Sequence, residues 1–327
     1  MLAAVGRAAT VPAETERALG PLKDSGLRII AVDSRFKDLI DVRSTITRHQ
    51  TGSRWSEGPA WNAAGRYLVW SDVPNSRQWR WLEEDGHVSE FRHPSNHTNG
   101  ATYDAVGRML TCEQTGHQVV RHEPDGSTTV LADQIDGVPF NSPNDIVVHP
   151  DGGIWFTDPG YGVPKPLPQK EAIYRIDGQT GTVKRVDDAL VKPNGLCFSP
   201  DFKKLYVADT GPEKQEDKAL HVYDVTAAGG LANRRKFAAI KYNGLIAGPD
   251  GQQVDAQGNL WASSGHGVEG INGVHVFSPG GDLLGVILLP ETCANVCFGG
   301  SARDRLFMTA TTSLYSVQTL THAAHGS

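Results

Sequence analysis

One pattern recurs six times along the 327-residue chain, and it constrains the fold more than any single motif. Each copy has an apolar residue, a turn with Gly or Asp, a short apolar strand, and a small or acidic end. The copies occupy residues 61–72, 103–113, 148–158, 198–209, 254–264 and 298–310. Their starts are 42, 45, 50, 56 and 44 residues apart. Helical solenoids of similar period need amphipathic segments of about 12 residues or more per repeat, and none occurs after residue 60. A period of roughly 40–50 residues built from short strands and turns is what a β-propeller blade leaves in a sequence. Six copies predict an all-β, six-bladed β-propeller.

Further strands are expected between the copies, at residues 118–122, 172–176, 219–223 and 273–277. A strand around residues 42–48 precedes the first copy and is expected to pair with the C-terminal strands in a shared blade, leaving no open sheet edge. Residues 34–40 read as a helical turn. The expected boundaries are an N-terminal arm over 1–34, partly helical, a propeller over 35–320 and a short tail over 321–327.

Composition excludes several classes. A chain 39% hydrophobic and 21% charged is a folded one. Its net charge of −6, with no basic run longer than Arg234-Arg235-Lys236, argues against nucleic acid or an anionic membrane as partner. No apolar run reaches the roughly 18 residues of a membrane span. Arg7 interrupts the apolar start before it resembles a secretory signal, so a cytoplasmic location is expected. The expected assembly is a monomer or small homo-oligomer. Four cysteines in so long a chain make no disulfide framework, and they read as small buried hydrophobes in strands.

In a propeller the innermost strand of each blade lines the central channel, so equivalent positions converge on the axis. Four residues before the first five starts stand Glu57, Asn99, Asn144, Asn194 and Asp250; Asn295 stands three before the sixth. Asn-Gly and Pro-Asp-Gly are also ordinary turn sequences, in which Asn or Asp merely caps the turn. Residues 124–126 and 150–152 read that way, because they lie outside the register. Carboxylate and carboxamide oxygens in register suit Ca²⁺, Mg²⁺ or Mn²⁺, and a set with gaps would leave room for substrate. A Gly-x-Ser-x-Gly elbow, a His-Glu-x-x-His helix, a phosphate loop and a dinucleotide fingerprint are all absent.

At these residues the sequence resembles the SMP-30/gluconolactonase/regucalcin-like family of propeller lactonases, in its bacterial gluconolactonase branch, over residues 35–318. The matching segments are residues 56–61, 99–101, 141–145, 155–162, 192–196, 208–211 and 249–251. The resemblance implies one divalent metal on the axis, Ca²⁺ first, with Zn²⁺, Mn²⁺ or Mg²⁺ accepted. It implies Glu57, Asn144, Asn194 and Asp250 as ligands, all within the repeat register. The implied reaction is metal-dependent hydrolysis of a sugar lactone, D-glucono-1,5-lactone first, with Asp250 also activating water. Asn99, Ser142, Tyr161 and His266 are expected to hold the sugar. Two other readings remain: a propeller hydrolase of other lactones or phosphotriesters, and a non-catalytic propeller that binds calcium or a protein. Members of this branch often carry Cys-Glu-His-Gly, where this chain has Gln114 in the histidine's place.

Overall fold

The computed structural model describes residues 26–211, 213–265 and 267–325. Six antiparallel sheets of at least four strands follow one another around an axis. The first four are consecutive meanders. Blade 1 comprises Ser56–Asn62, Tyr67–Asp72, Arg77–Leu82 and Val88–Arg92, and blade 2 Thr98–Tyr103, Met109–Glu113, Gln118–His122 and Thr128–Ala132. Blade 3 comprises Ile146–Val148, Ile154–Asp158, Ala172–Ile176 and Val183–Asp187, and blade 4 Pro193–Phe198, Lys204–Asp209, Ala219–Val225 and Leu231–Ala238. Each repeated pattern spans the end of an innermost strand, the hairpin turn and the second strand. Left-handed residues make those turns, for example Gly107 at φ +86° and Gly258 at φ +84°.

The last two blades borrow from the start of the chain. Blade 6 joins Cys293–Gly299, Arg305–Ala310 and Ser313–Gln318 to Thr47–Thr51 as its outermost strand. This is the expected closure, but the strand lies beyond residue 46 because its register is set by pairing Thr47 with Ser316 and Thr51 with Ser313. Blade 5 (Pro249–Val254, Leu260–Ser264, Gly273–Phe277 and Leu283–Leu288) gains a fifth strand, Arg28–Ala31. The boundary drawn at residue 34 therefore falls inside a sheet-bearing segment. Ser34–Asp38 is a 3₁₀ turn whose Phe36 is fully buried, and residues 1–25 of the expected arm lie outside the described residues.

Every pair of neighbouring blades encloses its own apolar core. Trp61, Trp81 and Phe307 fill the space between blades 1 and 6; Phe140, Phe156 and Tyr174 fill that between blades 2 and 3; Trp261 and Phe298 fill that between blades 5 and 6. All four cysteines are free and buried in strands. Six modest cores in a ring let a chain of this length fold without one oversized core. Among the described residues no helix is long and apolar enough to cross a membrane.

Candidate functional site

The polar ring forms because the innermost strands all start at the same end of the channel. Glu57, Asn99, Asn194 and Asp250 each occupy the second position of their strand, Asn295 the third, and Asn144 lies just before its own. All six are 3–6% exposed, so each needs a partner for its polar atoms.

Two devices hold these residues in place. The first is glycine. A Cβ on Gly58 would lie 1.9 Å from the Asn99 carbonyl oxygen, and one on Gly100 would lie 2.5 Å from that of Asn144. Gly195 faces the Asp250 carbonyl in the same way, whereas Gly251 makes room for the Asn295 side chain, whose Oδ1 a Cβ would meet at 2.0 Å. The residue after each donor is therefore glycine wherever the next blade's backbone comes this close. Two blades depart from it, blade 6 with Val296 and blade 3 with Asp145. The Asp145 carboxylate accepts from the Ile146 amide at 3.0 Å and from the Leu196 amide of blade 4 at 3.4 Å.

The second device uses the ends of the second strands. Asp72 accepts from the Arg54 amide, Asp158 from those of Asn141 and Ser142 at 2.8 and 2.7 Å, and Asp209 from those of Val191 and Lys192. The acidic end of the repeat thus anchors the loop that delivers each donor. Hydroxyls one residue earlier pin the next blade: Ser71 donates to the Asn99 carbonyl and Thr157 to that of Asn194.

Inside the ring, Glu57 accepts from Trp55 Nε1 at 3.3 Å, from the Gly58 amide at 3.1 Å and from Asn295 Nδ2 at 3.3 Å. Asn295 Oδ1 accepts from the Val296 amide at 2.8 Å, and Asn194 Nδ2 donates to Tyr161 Oη at 3.1 Å. Burial, and next the Asp145 carboxylate, push the Glu57 pKa up to about 7. Burial followed by Glu57 and Asp145 raises Asp250 well above the usual carboxylate range. Burial alone lifts Asp145 to about 6. No Lys or Arg forms an ion pair with any of the three among the described residues. Three buried carboxylates without a cationic partner, interleaved with carboxamides, form a hard-oxygen cradle whose charge a divalent cation would balance. Among the described residues no group of three or more His, Cys, Asp or Glu is gathered closely enough to hold a metal, so the three carboxylates alone do not make a metal cluster and a cation here would depend on the carboxamide oxygens as well.

Of the residues expected to hold substrate, Asn99 keeps its Oδ1 buried without a hydrogen-bond partner, and so does Ser142 its Oγ. Tyr161 Oη lies 2.5 Å from Thr210 Oγ1 and accepts from Asn194 Nδ2 at 3.1 Å, so this phenol positions a ring residue. His266 lies outside the described residues. The structure adds groups to which the sequence reading assigned no role: Trp55 on Glu57, Asp145 beneath the ring, and Lys192, whose Nζ sits 4.7 Å from the Tyr161 ring centroid. Lys192 and Thr210 fall within segments 192–196 and 208–211, and that was their only signal. Gln114 lies on a loop where Thr115 Oγ1 meets His97 Nδ1 at 2.5 Å.

The model of the SMP-30/Gluconolactonase/LRE-like region matches residues 55–312. A gluconolactonase of Zymomonas mobilis is 29% identical over 98% of this chain and 94% of its own length. A pentonolactonase of Haloferax volcanii is 27% identical over 81% of this chain and 84% of its own. The solved structure of a gluconolactonase from Xanthomonas campestris superimposes with a TM-score of 0.80 at 33% identity, covering 92% of this chain and 99% of that one.

Proposed function

The chain belongs to the SMP-30/gluconolactonase/LRE-like family, and from that premise we propose that it hydrolyses a sugar lactone at the axial ring, with D-glucono-1,5-lactone the first substrate to test. The observation that carries this reading is the ring itself, where Glu57 and Asp250 are buried among carboxamides and lack a basic partner among the described residues. Glu57, Asn144, Asn194 and Asp250 would hold one divalent cation, Ca²⁺ first. When bound, that ion would supply Lewis acidity toward the lactone carbonyl and stabilise negative charge developing on its oxygen.

The chain's own groups do the rest. Asp250 takes the proton of the attacking water as the new C–O bond forms. The ring C–O bond then breaks, its oxygen takes the proton held by Asp250, and the aldonic acid leaves with Asp250 ionised again. Asn99 Oδ1 and Ser142 Oγ, buried and unpartnered, are available to the sugar hydroxyls. Tyr161 holds Asn194 in place through its hydroxyl.

A pH-stat assay with D-glucono-1,5-lactone, before and after stripping with a chelator and after Ca²⁺ is restored, tests this reading. Turnover that falls on stripping and returns with the ion is expected. Unchanged turnover after complete stripping sinks the metal role, and no turnover of any sugar lactone sinks the lactonase reading. Hydrolysis of a fluorophosphate in preference to lactones would favour the phosphotriester alternative.

A further inference from the structure

Two carboxamides of the ring are held by opposite ends. Asn295 Oδ1 is taken by the Val296 amide at 2.8 Å, and its nitrogen donates to Glu57 Oε2 at 3.3 Å. Asn194 is gripped by its nitrogen, which donates to Tyr161 Oη at 3.1 Å and leaves Oδ1 without a hydrogen bond among the described residues. We infer that Thr210 sets this orientation: acting through Tyr161, it is a positioning residue that keeps the Asn194 oxygen free for a cation. The inference rests on the ring holding the divalent ion of the lactonase reading.

The direction of the hydrogen bonds carries the argument. The two ends of a carboxamide have nearly the same shape, so its neighbours decide which end serves as a ligand. Tyr161 Oη lies 2.5 Å from Thr210 Oγ1, and within that pair alone either hydroxyl can donate. Thr210 Oγ1 also lies 3.3 Å from the Lys192 carbonyl oxygen, which only accepts. A hydroxyl has one proton; once Thr210 gives its own to Lys192, Tyr161 must donate to Thr210. The phenol oxygen is then left to accept, and Asn194 must offer it an N–H. The chain therefore runs from Asn194 through Tyr161 and Thr210 to the backbone of Lys192, each link reinforcing the next. Run the other way, Tyr161 would donate to Asn194 Oδ1 and take that oxygen from the ion.

The far end of the chain is fixed backbone. The Lys192 carbonyl also accepts from the Thr210 amide at 3.1 Å, and the Asp209 carboxylate accepts from the amides of Val191, Lys192 and Gly211. Thr210 is 4% exposed, so its hydroxyl finds its partners within the protein. The Lys192 ammonium, paired with Glu171 at 3.2 Å, adds a cation–π contact to the Tyr161 ring.

Calorimetric Ca²⁺ titration of the whole protein, with melts of the metal-free forms, tests this. Tyr161→Phe removes the acceptor at Asn194 and should raise the Kd about 10–100-fold, the usual cost of losing a ligand's outer partner. Thr210→Val keeps the shape without the hydroxyl and should raise it about 3–10-fold, the worth of one neutral hydrogen bond. Thr210→Ser restores the hydroxyl and with it the affinity of the unmodified protein. Lower metal-free melting temperatures with unchanged Kd would show a purely structural role and overturn the inference, as would equal Kd for the two Thr210 variants. If the unmodified protein binds no divalent cation, the metal reading falls and this inference with it. If it binds Ca²⁺ and Tyr161→Phe binds as tightly, this inference alone falls. Should Tyr161→Phe fail to fold, the comparison of Thr210→Val with Thr210→Ser still decides.

Discussion

The two halves of the central channel are built from the same six strands, yet they are chemically opposite. The end where the strands begin presents carboxylates and carboxamides; a few residues further along, the same strands present Ala60, Ala101, Leu196, Val254 and Val296. Alternation along a strand explains part of this, since successive side chains leave opposite faces. The rest comes from the glycines. Where a donor precedes glycine, the adjacent blade can approach, and polar backbone and side chains close into a ring. One end of the channel is therefore organised for hydrogen bonds and charge, while the other is shaped by packing. Function and stability should respond to mutation at different ends.

The largest contrast is expected from Asp250→Asn, which keeps volume and a ligand-capable oxygen but loses the charge and the proton acceptor. Activity should stay depressed by about 10²–10⁴-fold at saturating metal, with little change in the melting temperature of the metal-saturated protein. Full rescue by excess Ca²⁺, read as kcat, would leave the ring standing but remove the base from it. Glu57→Gln is the control within the same half: it too loses a charge, and excess metal should restore more of its rate.

At the opposite end, Phe198→Ala should cost about 3–5 kcal/mol of stability, the usual loss for emptying a buried aromatic site, while KM for the lactone stays within error. Denaturant unfolding and steady-state kinetics on one preparation would show whether the two ends are that independent.

A smaller effect concerns pH. In the metal-free protein burial and Asp145 push the Glu57 pKa up to about 7 against the lowering effect of the bonds from Gly58, Trp55 and Asn295. Since its ordinary value is 4.5, the folded metal-free protein binds more protons than the unfolded chain between those values. Its stability should therefore fall as pH rises from about 5 to 7. Metal affinity should run the other way, rising up to about pH 7 and levelling beyond, because a ligand carboxylate must be ionised. Glu57→Gln should flatten both slopes in calorimetric melts and Ca²⁺ titrations. The smallest effect is assigned to Gln114→His, which should leave stability within about 0.5 kcal/mol while altering the ratio of kcat/KM between 1,5- and 1,4-lactones.

The ring was readable in the sequence because a repeat forces equivalent residues to equivalent places. Glu57, Asn99, Asn144, Asn194, Asp250 and Asn295 converge for that reason alone. What the repeat does not carry was missed. Asp145 looks like half of an Asn-Asp turn, and only the interblade contact with the Leu196 amide shows why blade 3 departs from glycine. Lys192 and Thr210 sit in a pair of loops whose shape comes from Asp209, an acid that reads in the sequence only as a strand end. Arg28–Ala31 is four residues long, too short for a local signal, and it is a strand because Leu283–Leu288 offers it an edge. The closing strand was placed a few residues early for a related reason: its register belongs to a partner at the other end of the chain.

That closing strand has a consequence for biosynthesis. His49 and Ser316, hydrogen-bonded at 2.7 Å in blade 6, are 267 residues apart. At roughly 5–20 residues per second, the first leaves the ribosome roughly 10–50 s before the second. Blades 1 to 4 are complete within themselves and can form as they emerge, whereas blade 6 waits for nearly the whole chain. The bond between Asn295 and Glu57, from the last blade to the first, waits with it. During translation the nascent ring is an open arc with unpaired strand edges, so the geometry of the polar ring belongs to the last event of folding and is a property of the finished chain.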